Sequence, residues 1–233
     1  VTEPSASADS LDLPRLDTAA LATFFEAESV ASALAYDRAF RAAATGDDLQ
    51  AAYEQALALP GVLLGPIREE YLGEYGPGWE ALDRFTSAEL GLPGLIPSCV
   101  AECTEPAFAL AVEDWQQAAR HLGDDGAEAF FDALTRVYDA PDSLPQVFDG
   151  RLTGWTVYQT QTWDYGGYSN LGSGIHAELL GLFAAASGTA GVFEDEIGAL
   201  REDVALDLLE ATCIGPSSEE ALNEVRRVND SMT

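Results

Sequence analysis

Apolar residues recur along this chain at the three-and-four spacing of amphipathic helices, interrupted by short Pro/Gly turns. Leu21, Phe24, Ala27, Ala31 and Leu34 predict a first long helix, capped by Asp17 or Thr18 and ended by Gly46. Asp47, with Gln50 three residues later, marks a capped restart that runs to Leu59 before Pro60-Gly61. Gly65-Pro66, Gly76-Pro77-Gly78, Pro93-Gly94 and Pro97 punctuate the next stretch and leave room for two short helices, 67–75 and 79–90. Pro106 then suits the start of a helix to His121, with the stripe Phe108, Val112, Trp115, Ala119 and Leu122. Gly123 to Gly126 turns it into another bearing Phe130, Leu134, Val137 and Tyr138. Ile175, Leu179, Leu182 and Ala186 mark a further helix, and Ile197, Leu200, Val204, Leu208 and Ala211 the next. Ser217 with Glu220 forms a capping box for a last helix carrying Leu222 and Val225.

The helical pattern lapses between Ala140 and Gly174. The expected fold is therefore all-α: one helical domain over 17–233, of about eight helices, with a long irregular insert at 140–174 that has room for a small β-hairpin. Residues 1–16 lack periodicity, contain Pro4 and Pro14, and read as a mobile arm. No apolar run approaches the ~18 residues of a membrane span, and no charged-then-apolar leader precedes the first helix. Cytoplasmic location is the expectation, with export after removal of a signal as the alternative.

Charge changes this picture more than composition does. Forty acidic residues face eleven basic ones, all arginine, for a net charge of −29. Unpaired acids spread along helices repel one another when the Debye length is about 8 Å, and much less at ~3 Å in molar salt. Diffuse acidity without lysine thus points to salt adaptation, with a surface for a cationic protein partner as the alternative. Nucleic acid is excluded as a partner because no Lys/Arg stripe exists to neutralise phosphates; Arg226-Arg227 is the only adjacent basic pair.

The candidate chemistry lies in Trp155 to Glu178, where the sequence turns to aromatics, Thr, Gln and Gly. An extended Trp155–Trp163 would mix large apolar surface with amide and hydroxyl groups, as small-ligand pockets do. Trp155, Tyr158, Gln159, Gln161, Trp163, Tyr165 and Tyr168 are its ligand-binding candidates. Gly172-Ser173-Gly174 leads into a helix start whose exposed backbone N–H groups suit an anion or a developing oxyanion. His176, in the first helical turn, is the candidate base or metal ligand, with Asp164 and Glu178 as acidic companions. Gly174-Ile175-His176 resembles the opening of the G-x-H-x-x-E motif of imelysin-like peptidases. Glu178 comes one residue too early for that motif, and membership does not follow.

Cys99 and Cys103, spaced four apart, would share a helix face and with His176 would make a three-ligand zinc site. Buried thiols, or a disulfide from Cys213 to either, compete with that reading. No cofactor signature is present. The reading favoured by the sequence is a non-enzymatic acidic protein that binds a partner or small ligand through 155–178. The alternatives are a metal-assisted or His-based hydrolase using that segment, and an acidic inhibitor or immunity-type protein.

Overall fold

A computed structural model describes residues 13–65, 78–100, 105–139, 144–148, 150–161, 167–188, 191–211 and 218–231. The expected helix at 67–75, most of the N-terminal arm, and Cys103, Trp163, Asp164, Tyr165, Cys213 and Ser217 lie outside them. Contacts divide the chain into two compact units, Val1–Asp124 with Leu144–Thr153, and Asp125–Ser143 with Gly154–Thr233.

The first unit opens with α1 (Thr18–Phe24), capped as expected: Asp17 accepts from the N–H groups of Ala19 and Ala20, both at 2.9 Å. It ends at Phe25, whose backbone is extended, and α2 (Ala27–Ala42) follows. The single helix to Gly46 is thereby divided. Phe25 turns its ring into an edge-to-face cluster with Phe85 and against Phe108, a geometry that favours aromatic pairs beyond their buried area. Gly46 opens α3 (Gly46–Leu64) rather than closing the previous helix, because Thr45 caps Asp48 N–H and the Asp48 carboxylate accepts from the Thr45 hydroxyl. That hydroxyl, with the Ala44 N–H, holds the Asp48 carboxyl below its usual range. Pro60 sits inside α3.

After α4 (Gly78–Thr86) the all-α expectation fails. β1 (Leu95–Val100), β2 (Glu105–Leu110), β3 (Gln146–Phe148) and β4 (Arg151–Thr153) form an antiparallel sheet in that order. The register pairs Leu95 with Leu110, Phe108 with Val147, and Val147 with Leu152. The physical reason is burial on both faces. Pro106 to Leu110 are all buried, so the run shows no alternation, and an apolar run without alternation is indistinguishable from a buried helix by periodicity. The stripe from Phe108 to Leu122 thus spans a strand and a helix, α5 (Val112–Leu122). The 140–174 insert supplies two strands to this sheet as well as a separate hairpin.

One turn joins these elements. Trp115 of α5 is fully buried, and its indole N–H donates to the Gly94 carbonyl at 3.1 Å. Gly94 N–H in turn donates to Asp114 Oδ2 at 2.8 Å, and the Tyr36 hydroxyl of α2 donates to the Pro93 carbonyl. Burial raises the Asp114 carboxyl, against the lowering effect of the Gly94 N–H. Phe40 and Tyr53 pack edge-on to Trp115 at 4.7 and 5.4 Å.

The second unit holds α6 (Asp125–Val137), the hairpin β5 (Gln159–Gln161) and β6 (Gly167–Ser169), α7 (Ile175–Ser187), α8 (Glu194–Ala211) and α9 (Ser218–Ser231). Its apolar centre includes Phe193, stacked on Phe130 at 4.4 Å and edge-on to Phe131 at 5.1 Å. Leu222 and Val225, the apolar residues that mark the last helix, are 54% and 38% exposed; α9 turns Glu224 and Val228 inward.

Gly94 has φ +71°, and a Cβ there would stand 2.3 Å from Trp115 Nε1. Gly94→Ala should therefore cost about 2 kcal/mol or more, combining left-handed backbone strain with displacement of a buried ring. Denaturant unfolding in molar salt measures this.

Candidate functional site

The segment from Trp155 onward is tied to the second unit by its backbone. Val157 N–H donates to the Val137 carbonyl at 2.7 Å, Asn170 N–H to Tyr158 O at 2.8 Å, and the Asn170 amide to Val157 O at 2.9 Å. Thr156 and Tyr158 point inward, while Trp155, Val157 and Gln159 are half-buried. Gln161 and Tyr168 belong to β5 and β6, paired with Gly167 and Thr160. Burial first, then the charges of Asp203 and Asp207, raise the Tyr158 phenol, which stays protonated.

The start of α7 gathers hydrogen bonds from several elements. Gly174 is its N-cap, with φ +94° and no side chain to cap the helix. The cap comes from another helix. Glu224 of α9, fully buried, places Oε2 to accept from the N–H groups of Gly172 (2.5 Å) and Gly174 (2.9 Å), and Oε1 to accept from His176 N–H at 3.0 Å. A helix N-terminus favours an anion through its unpaired N–H groups and its dipole. The anion at this helix start is the chain's own carboxylate.

His176 is equally enclosed. Its side chain is fully buried, with Nε2 2.8 Å from Asp207 Oδ2 and 3.3 Å from Ser169 Oγ, and Nδ1 3.4 Å from Glu224 Oε1. The Ser169 hydroxyl donates to Asp207 Oδ2 at 2.6 Å. A carboxylate only accepts, so Nε2 carries a hydrogen toward Asp207. In a hydrolytic triad, serine and carboxylate occupy opposite ring nitrogens, and serine donates to the imidazole. Here Glu224 does face Nδ1, opposite Ser169, but Asp207 shares Nε2 with Ser169, and the serine hydroxyl donates to Asp207 instead of to the imidazole. This arrangement binds helices together; it does not activate Ser169.

The other candidates disperse. Glu178 stands on the exposed side of α7, where Arg136 Nε meets Oε1 at 2.7 Å and Nη2 meets Oε2 at 3.3 Å. Arg136 also reaches Asp139 at 3.2 Å. The paired guanidinium holds the Glu178 carboxyl below its usual range, chiefly through the hydrogen bond. Ser173 is exposed, and its hydroxyl accepts from Ile175 N–H at 3.3 Å. Cys99 lies in a strand and is disulfide-bonded, which removes its thiolate from metal ligation. Among the described residues no group of three or more His, Cys, Asp or Glu is placed to hold a metal. Sequence reasoning missed Ser169, Asp207 and Glu224. The i, i+4 spacing of Glu224 and Val228 was a signal, masked by the abundance of acids.

No protein-family model matches the chain, and no curated protein or solved structure matches it.

Two outcomes check this geometry. His176→Ala should destabilise the fold by about 2–4 kcal/mol, since it empties a buried site and leaves two carboxylates facing it. A near-neutral variant in denaturant unfolding would contradict the packing role. Glu178, being depressed in the folded state, contributes stability present above the ordinary carboxylate pKa and lost as pH falls through its folded value. Arg136→Ala should return the Glu178 titration, followed by carboxyl NMR, toward the ordinary range.

Proposed function

We propose that this chain is a salt-adapted, non-enzymatic binding protein that engages a partner or small ligand through the 155–178 segment. The observation that carries the reading is the enclosure of its one candidate base. His176 has no exposed surface and faces Asp207 and Glu224, Glu178 is engaged by Arg136, and Ser169 donates to a carboxylate. The described residues therefore supply no assembled nucleophile, base and orienting group, which weighs against the hydrolase alternative. Trp155, Gln159 and Asn170 keep partial exposure beside buried Tyr158, the mixed apolar and amide lining that ligand contacts use.

Salt adaptation is supported by where the acids lie. Among the described residues, Glu224 is the one buried acid; the remainder are exposed or half-buried, in a chain with only eleven cations. Among the described residues no helix is long and apolar enough to cross a membrane. The disulfide at Cys99 favours export over the cytoplasm, because such bonds persist in oxidising compartments.

The melting temperature should rise by about 10 °C or more between ~0.1 M and ~3 M NaCl as surface repulsion is screened. A flat profile would instead support the acidic surface as a docking face for a cationic protein. Ligands of the 155–178 segment should raise the melting temperature by mass action and lose that effect in Trp155→Ala. Hydrolytic turnover abolished by Ser169→Ala or His176→Gln in a folded protein would overturn the non-enzymatic reading.

A further inference from the structure

His176 stands between two carboxylates, and a neutral imidazole has a hydrogen for only one of them. Asp207 Oδ2 lies 2.8 Å from Nε2 and takes that hydrogen, while Glu224 Oε1 lies 3.4 Å from Nδ1. In the neutral ring Nδ1 is therefore a bare acceptor facing an oxygen that also only accepts. Nδ1 is buried without a hydrogen-bond partner. Neither the imidazole nor the Glu224 side chain has exposed surface, so solvent does not screen the contact.

The surrounding elements leave this mismatch in place. From β6, Ser169 donates its hydroxyl hydrogen to Asp207 Oδ2. Tyr158, with its ring 5.9 Å from the imidazole, is a neutral phenol near Asp203 and Asp207 of α8. On α7 itself, Glu178 is turned outward to Arg136 of α6, which also meets Asp139. From α9, exposed Arg227 lies beside Gly174, its Nη1 3.1 Å from where a Cβ would be. The N–H groups of Gly172, Gly174 and His176 already donate to Glu224.

We propose that His176 is a proton latch: a second proton, taken up at Nδ1, makes an imidazolium that donates to Asp207 through Nε2 and to Glu224 through Nδ1, so that the tie between α7, α8 and α9 depends on pH. The proton comes from solvent in acid and returns to it in alkali, and no other bond changes. Protonation turns two acceptors at 3.4 Å into a charge-assisted donor and acceptor, and sets one positive charge between two enclosed negative ones. The dipole of α7 opposes a cation in its first turn, with the equivalent of about half a positive charge. Two full carboxylate charges at hydrogen-bonding range outweigh it, and one of them, Glu224, caps that same dipole. The imidazolium has these partners only in the folded chain, so folding takes up a proton. The stability that the latch adds is present in acid and lost as the pH rises, opposite in sign to the Arg136–Glu178 pair.

The test begins with the unmodified chain in molar NaCl. Its two histidines, His121 and His176, are told apart by His121→Gln. At about pH 7, where a free imidazole is largely neutral, nitrogen NMR should show both ring nitrogens of His176 protonated. A bare Nδ1 at that pH overturns the latch. So does a Glu224 carboxyl carbon signal of the protonated acid, which would place the proton on Oε1. Stability gives a second readout. The unfolding constant of the unmodified protein, divided by that of His176→Gln at the same pH, should rise at least about tenfold between about pH 6 and 8.5, where ordinary carboxylates stay ionised. His121 and the chain's amino terminus titrate in both proteins and cancel. A flat or falling ratio overturns the proposal. Should His176→Gln not fold, Glu224→Gln takes its place: without the charge facing it, Nδ1 should be bare at about pH 7. A ring that stays doubly protonated in that variant assigns the second proton to Asp207 alone and overturns the two-sided latch.

Discussion

The second unit depends on one carboxylate placed at one helix start. A buried acid is costly unless it is well hydrogen-bonded, and Glu224 accepts from three backbone N–H groups. The same contact solves two problems. It caps α7, whose N-cap is a glycine with no side chain, and it brings α9, a mostly polar helix, onto the body of the unit. Asp207 then closes the other side of His176 and draws in Ser169 from the hairpin. Four elements meet at one imidazole.

The first unit is organised by a different device, a polar turn inside an aromatic centre. The Pro93-Gly94 carbonyls accept from Tyr36 and Trp115, and Gly94 N–H donates to Asp114. Two polar-tipped rings of that core, Tyr36 and Trp115, thereby keep hydrogen-bonded tips while their bodies are buried. Both units place their decisive polar contacts at glycines of positive φ, Gly94 and Gly174, where the absence of Cβ lets another group approach the backbone closely.

Legibility from the chain varied with the kind of signal. Asp17 was readable because caps are local: the side chain and the N–H groups that it serves lie within a few residues; the restart expected at Asp47 and Gln50 lies two residues earlier, capped by Thr45, and runs through Pro60. The helix start after Gly174 was readable for the same reason as Asp17. The sheet was not, because β2 is buried across Pro106 to Leu110 and loses the alternation that identifies a strand. The orientation of α9 failed differently. Leu222 and Val225 mark the helix but not which side turns inward; that is set by what Glu224 finds at His176 on α7, 48 residues away in sequence.

What the sequence alone determined is local or summed: helix caps, turn glycines, the dominance of helix, the place where composition changes, and the charge of −29. These survive because neighbouring residues or simple totals decide them. What only the tertiary structure decided is pairing: four strands in one sheet, Arg136 with Glu178, and His176 held between Asp207 and Glu224. In a chain with forty acids, the sequence cannot mark which single carboxylate goes inside. That choice is made by donors elsewhere in the fold, because burying a charge is tolerable only where they converge.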